Sequence, residues 1–285
     1  MSTQANAAED HRILAEWIWD GAIGDIREVH IWSNRPIWPQ GVEAPVTVPS
    51  CPPTLDWGLW IGPAPYRPYH PAYHPFKFRG WYDFGTGALG DMGCHQFDPV
   101  FKALKLGQPN SVYASSTELY EHSYPKASIV YYDFPARENM PPAQITWYDG
   151  GLKPERPEAL EASRQFGDWS GGILFVGESG SIITSAVGRH PRIIPESKMQ
   201  AYNRPPETLP RSEGHYKEWI TACKGGEPAG ANFDYGGPLT EVVLLGNAAV
   251  RAQKRLYWDA KTLTFTNNEE ANELLQEPYH NGWSL

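Results

Sequence analysis

The sequence is short of several features that mark large protein classes. It has three cysteines among 285 residues, Cys51, Cys94 and Cys223, with no C-x-x-C spacing. An odd, scattered set excludes a disulfide framework and a zinc knuckle and points to a reducing compartment, the cytoplasm. No window approaches 18 uninterrupted apolar residues, so no membrane span is expected. The opening MSTQANAAEDHR lacks a basic region followed by an apolar run, so no export signal is expected. Basic residues are outnumbered, 24 Lys and Arg against 33 Asp and Glu for a net charge of −9, which argues against nucleic acid or an anionic membrane surface as partner. Internal repeats and low-complexity tracts are missing.

What remains is a globular composition, 41% hydrophobic, with twelve tryptophans and fifteen tyrosines. That is enough apolar material for a sizeable core. Flat aromatic faces also suit the C–H faces of sugar rings, with ordinary core and interface packing as the alternative use.

Residues 9–20 read as an amphipathic helix with Ile13, Leu14, Trp17 and Ile18 on one side, and REVHIWSN then alternates like a half-buried strand. From Arg35 to Pro75 the chain is rich in Pro, Trp and Tyr without a sustained period, a long excursion of the kind that serves function. A helix is expected from about Gly93 to Leu106. Strands are expected at Ser111–Leu119, Ala127–Phe134, Ala143–Tyr148, Gly172–Val176 and Ser181–Thr184. Short links with no helix between them imply an antiparallel sheet. Residues 151–171 and Ile194–Arg211 read as mobile insertions. Helices return at Ser212–Cys223, at Pro238–Arg255 and after Thr266, where Glu269 completes a capping box. The reading is one α+β domain over residues 1–285: an open, mostly antiparallel sheet with helices on one face and the other face left for a partner.

Chemistry concentrates in GTGALGDMGCHQFDP, Gly85 to Pro99, where Asp91 and His95 stand four residues apart on one helix face. A carboxylate beside an imidazole can exchange a proton with a substrate hydroxyl near neutral pH. An Asp in a first turn also serves simply to satisfy free N–H groups. GTGALG matches G-x-G-x-x-G literally, but no hydrophobic strand precedes it and Asp91 would put negative charge where a pyrophosphate sits, so a dinucleotide site is rejected. Upstream, HPAYHPFKFRGWYDF (His70 to Phe84) crowds histidines, a lysine, an arginine and aromatic rings into irregular chain. Lys77 and Arg79 are candidates to clamp an anionic or hydroxyl-rich substrate. Asn34, Arg35, Trp38, His74, Trp81 and Tyr148 are candidates for sugar contact, with core packing the equal alternative for the rings. His70, His74 and His95 are weak metal candidates, since Pro71 and Pro75 oppose the helix that would align the first two. Cys94 is expected to face the core without a nucleophilic role.

NRPIWPQG, DWGLWIGPAP, HPFKFRGWYDFGTGALGDMGCH, WYDGG and GPLTEVVLLGNAAVR together resemble the C-terminal half of the Gfo/Idh/MocA sugar oxidoreductases. The resemblance implies an α+β substrate and oligomerisation domain, a D-x-x-x-H pair falling on Asp91 and His95 with roles in substrate binding and proton transfer, and a homodimer or homotetramer formed through the sheet. It also implies NAD(P) held by a Rossmann domain. Only 26 residues precede the first strand here, where such a domain needs on the order of 120, and the family's E-K-P lysine has no counterpart. Three functions therefore stand: the substrate half of a sugar oxidoreductase, with NAD(P) supplied by another chain or upstream sequence; a redox-neutral sugar lyase, epimerase or hydrolase using Asp91 and His95, with or without a metal; or a non-catalytic carbohydrate-binding or assembly subunit.

Overall fold

Period-two alternation produces the sheet on which everything else is mounted. In the computed structural model, which describes residues 3–276 and 278–284, the strands are β1 (Ile26–Ser33), β2 (Ser111–Ser116), β3 (Ser128–Phe134), β4 (Ala143–Tyr148), β5 (Gly171–Gly177), β6 (Gly180–Ser185), β7 (Arg192–Ile194), β8 (Leu256–Asp259) and β9 (Thr264–Phe265). Among the described residues these nine form one open sheet in the order β7-β6-β5-β1-β4-β3-β2-β8-β9. The pairings are antiparallel except β1 with β4, which run parallel. A parallel pair needs a long crossover. The excursion, the helix bearing Asp91 and His95, and the β2–β3 hairpin all lie within this one.

The helices are α1 (Glu9–Trp19), α2 (Trp57–Ile61), α3 (Gly87–Ala103), α4 (Glu196–Ala201), α5 (His215–Cys223), α6 (Phe233–Ala252) and α7 (Glu269–Asn272). α1, α3 and α6 cover one face of the sheet: Leu14, Trp17, Phe97, Val100 and Val243 pack on Val29, Ile31, Val130, Tyr132, Ile145, Trp147, Ile173 and Phe175. α3 and α6 approach closely at Gly93, where a Cβ would lie 2.9 Å from Val243 Cγ1. Leu89, Gly93, Phe97 and Val100 form the buried stripe of α3, which leaves Asp91 and His95 half-buried on its other side.

Several expectations change. α3 starts at Gly87, so most of GTGALG is helix rather than loop. α6 starts at Phe233, with Asn232 accepting from Tyr235 N as its cap, and Pro238 lies inside it. The cap of α7 is Asn268, which accepts from Ala271 N, in place of Thr266. β8 and β9 are too short to show alternation. The segment 151–170 carries Leu160 and Phe166 onto Trp32, Leu174, Ile183 and Ile194, and so covers the β5–β7 end of the face opposite the helices. The stretch 194–211 contributes the last residue of β7 and all of α4. No helix of the described residues is long and apolar enough to cross a membrane.

Candidate active site

Residues four apart on α3 share a face, yet the side chains of Asp91 and His95 do not hydrogen-bond one another. Asp91 Oδ1 accepts from Arg79 Nε at 2.9 Å. Arg79 comes from a short 3-10 turn at Lys77–Gly80 and also donates to Phe76 O at 3.0 Å. Its guanidinium lies 4.4 Å from the Phe76 ring centroid, 5.0 Å from Phe78 and 5.7 Å from Trp38. Aromatic faces attract the cation and screen it from water, so Asp91 is oriented by a side chain that is itself held in place.

The side chain of His95 makes no hydrogen bond or ion pair among the described residues. Burial pushes its pKa below the ordinary histidine value, against the opposing fields of Asp91 and Asp98. Desolvation thus outweighs the two carboxylates, whose charge alone would raise the basicity of the ring. At neutral pH the ring is uncharged and able to accept a proton.

The other predicted residues divide. Asn34 and Arg35 follow β1. Asn34 Nδ2 donates to Trp169 O at 2.9 Å, while the Arg35 side chain bonds Asn34 Oδ1 and lies 5.7 Å from the Trp169 ring. This end of β1 meets α3 directly, because Gln96, next to His95, donates to Trp32 O at 3.2 Å. Trp38 joins the cage around Arg79, although it is buried and its Nε1 is committed to Gln40. His74 packs edge-on to Trp60 at 5.6 Å, and Lys77 is exposed.

Two predicted contacts lie elsewhere. Trp81 is 2% exposed in the aromatic cluster of Trp57, Ile61 and Tyr73, with its Nε1 donating to Ala72 O. It has no free ring face. Tyr148 follows the core residue Trp147, so it points from the sheet face away from α3 and bonds His30 Nδ1 at 3.1 Å. Among the described residues no three His, Cys, Asp or Glu side chains gather to hold a metal. His70, one metal candidate, is engaged by Thr47 Oγ1 and Ala72 N. Burial raises the Cys94 pKa, and its nearest polar partner is Thr240 at 4.0 Å, consistent with an unreactive thiol.

Sequence reasoning missed Trp169, which is 79% exposed beside Asn34 and Arg35, and the rings of Phe76 and Phe78 around Arg79. It also missed Asp98. That carboxylate is fully buried and accepts from Asn6 Nδ2 at 2.7 Å and Tyr235 Oη at 2.6 Å, tying the amino-terminal turn, α3 and α6 together.

The glycines of GTGALG provide a test of the dinucleotide reading. A Cβ at Gly85 would sit 2.6 Å from Arg79 Cα, at Gly87 2.6 Å from the Tyr124 ring, and at Gly90 2.2 Å from the Thr86 side chain. Each of these three glycines admits neighbouring protein atoms, and a 3-10 turn rather than a strand stands upstream.

Residues 32–119 match the Gfo/Idh/MocA family model described as "Oxidoreductase family, C-terminal alpha/beta domain". The matched segment is similar to that C-terminal domain. It contains Arg79, Asp91 and His95. No curated protein matches the chain in sequence. Among solved structures, the WlbA dehydrogenase from Bordetella pertussis, in complex with NADH and UDP-GlcNAcA, is 15% identical with a TM-score of 0.50, over 88% of this chain and 61% of that one. An NAD-binding protein from Listeria innocua is 13% identical with a TM-score of 0.50, over 90% and 62%. These likenesses establish the fold. The Gfo/Idh/MocA-like chain spans about three-fifths of the length of either structure.

Proposed function

We propose that this chain is the substrate half of a sugar oxidoreductase, acting with a nicotinamide held by a nucleotide-binding domain outside the residues described. One observation carries the reading: an uncharged, unpartnered imidazole one helical turn beyond a carboxylate already fixed by an aromatic-caged arginine. Asp91 and Arg79 bind sugar hydroxyls, and His95 takes or returns the proton of the hydroxyl whose carbon changes oxidation state. A nicotinamide, when bound, supplies the hydride chemistry. The oxidoreductase segment over 32–119 favours this reading over a redox-neutral one. Calorimetric titration with a panel of aldoses and uronic acids is the test. At least one is expected to bind, with affinity reduced roughly tenfold in Asp91→Ala, the loss of one charge-assisted hydrogen bond. Absence of binding across the panel contradicts the proposal.

Because the glycines of GTGALG are filled by protein, the chain alone is expected to show no saturable binding of NAD or NADP in the same instrument. Sub-millimolar affinity for either would overturn the assignment of the nucleotide to another domain.

We also infer a homo-oligomer formed through the uncovered part of the sheet. The face opposite the helices carries Ile129 and the stacked pair Tyr113 and Tyr131, 4.7 Å apart, then Tyr148 beside His30. Half-buried aromatics on a strand face are suited to burial by a second copy. Sedimentation at micromolar concentration should give a dimer or tetramer, and Tyr131→Asp should shift it to monomer. A monomeric parent chain would contradict this inference.

A further inference from the structure

The Phe78 ring has two neighbours. It lies 5.0 Å from the Arg79 guanidinium, and it forms part of the wall of a cavity of about 1020 Å³. The remaining rings of that wall are Trp60, Tyr82, Phe84 and Tyr279. Among the described residues Asp83 is the one carboxylate of the lining, and it is already paired with Arg67, which bonds His122 Nδ1 at 2.8 Å as well.

The rings are fixed before any ligand arrives. Trp60 stacks on Trp57 at 4.7 Å with 9° between planes and packs on Phe84 at 4.9 Å. The segment bearing Tyr279 is tied down by His280 N to Pro63 O at 2.9 Å and by Asn281 Nδ2 to Gly62 O and Ala64 O at 3.0 and 2.8 Å. A preformed, mostly apolar pocket of this size fits a small-molecule group, and binding there costs little ordering of the protein. A second sugar ring would need a hydrogen-bonding partner for each hydroxyl; among the described lining residues side-chain partners are found at Trp60, Tyr82, Gln276 and Tyr279, beside an Asp83 already engaged by Arg67. A flat aromatic group needs only ring faces.

We propose that this cavity is an aglycone subsite: it takes the aromatic aglycone of a glycoside whose sugar lies at Arg79, Asp91 and His95. The proposal rests on the sugar reading above for the position of the glycosyl group and on the cavity for the rest. The substrate class is then aryl glycosides rather than free monosaccharides. The aromatic excursion, which has no role in proton transfer, supplies Trp60 as part of the specificity-determining wall.

The experiment is calorimetric titration of the full chain with methyl β-D-glucopyranoside, 4-nitrophenyl β-D-glucopyranoside and free 4-nitrophenol. The nitrophenyl glucoside is expected to bind at least about tenfold more tightly than the methyl glucoside, an increment in the range of one base–aromatic-type stacking contact. Ala64→Trp, which fills the cavity from its wall, should abolish that advantage. Tyr279→Ala, at a half-exposed side chain where folding is not at stake, should reduce it several-fold. If 4-nitrophenol and its glucoside both bind, both are lost in Ala64→Trp, and the methyl glucoside is not bound, the subsite stands while glucose as the glycosyl group fails. If methyl and nitrophenyl glucosides bind alike and neither variant changes the ratio, the subsite is overturned and the sugar site stands. Failure of both aryl probes to bind at millimolar concentration also overturns the subsite.

Discussion

For the proposed sugar oxidation, His95→Ala is expected to lower kcat/KM by roughly a hundredfold or more, the range for loss of a positioned acid/base, equivalent to about 2.7 kcal/mol of transition-state stabilisation. The fold should be untouched, because the side chain of His95 holds no hydrogen bond or ion pair among the described residues. A thermal midpoint close to the parent's separates the two effects. The pH profile adds a second signature. Since burial holds the His95 pKa below the usual histidine value, activity in the oxidative direction should be level through neutral pH and fall only on the acid side of pH 6.5, as the base becomes protonated. His95→Gln should erase that acid limb. Retention of both full activity and the limb in His95→Ala would remove the residue from the mechanism.

The largest stability effect is expected far from this site, at Glu16 of α1. Its carboxylate is 5% exposed and accepts from Thr208 N at 2.7 Å, Leu209 N at 2.9 Å, and both Arg211 terminal nitrogens at 2.7 and 2.9 Å. The Arg211 guanidinium and the two backbone amides hold its pKa at about 2, against an ordinary 4.5. A carboxylate bound this way stabilises the folded state at every pH above its unfolded value, and the contribution is lost as pH falls from about 4.5 to about 2. Glu16→Ala should therefore cost roughly 3 kcal/mol at pH 7, the low end for breaking a buried pair because Arg211 keeps some solvent contact. That corresponds to a fall in Tm of roughly 6–12 °C. Urea unfolding should show the gap between parent and variant closing towards pH 2. Glu207→Ala, which removes an exposed partner of the same arginine, should cost no more than about 1 kcal/mol. Equal costs for the two variants would show that burial of Glu16 is not what matters.

Local periodicity made the sheet strands legible, most plainly in β3, which alternates residue by residue between buried and half-buried positions. It could not show that β1 pairs in parallel with β4, since a parallel ladder depends on where a long crossover returns the chain. Asp91 and His95 were legible as a pair through their spacing. Their actual partners were not: Arg79 reaches Asp91 from a 3-10 turn whose conformation no period announces, and burial, which lowers the His95 pKa, is a property of the assembled fold. Trp81 and Tyr148 were misplaced for the same reason. Residue type gave them aromatic character, whereas their direction depends on the cluster around Trp57 for one and on the parity of β4 for the other. Glu16 and Arg211 lie 195 positions apart, a pairing only the tertiary structure creates.

In the proposed function Asp91 and His95 serve a redox reaction completed by a nicotinamide held elsewhere. It is tested most directly by co-expressing the chain with the reading frames that flank its coding sequence and following nicotinamide absorbance over the sugar that binds. The account predicts reduction of NAD or NADP that requires both this chain and a nucleotide-binding partner or upstream domain, and that His95→Ala suppresses. Conversion of the same sugar by this chain alone, with no change in nicotinamide and no need for a partner, would contradict it and establish a redox-neutral enzyme instead.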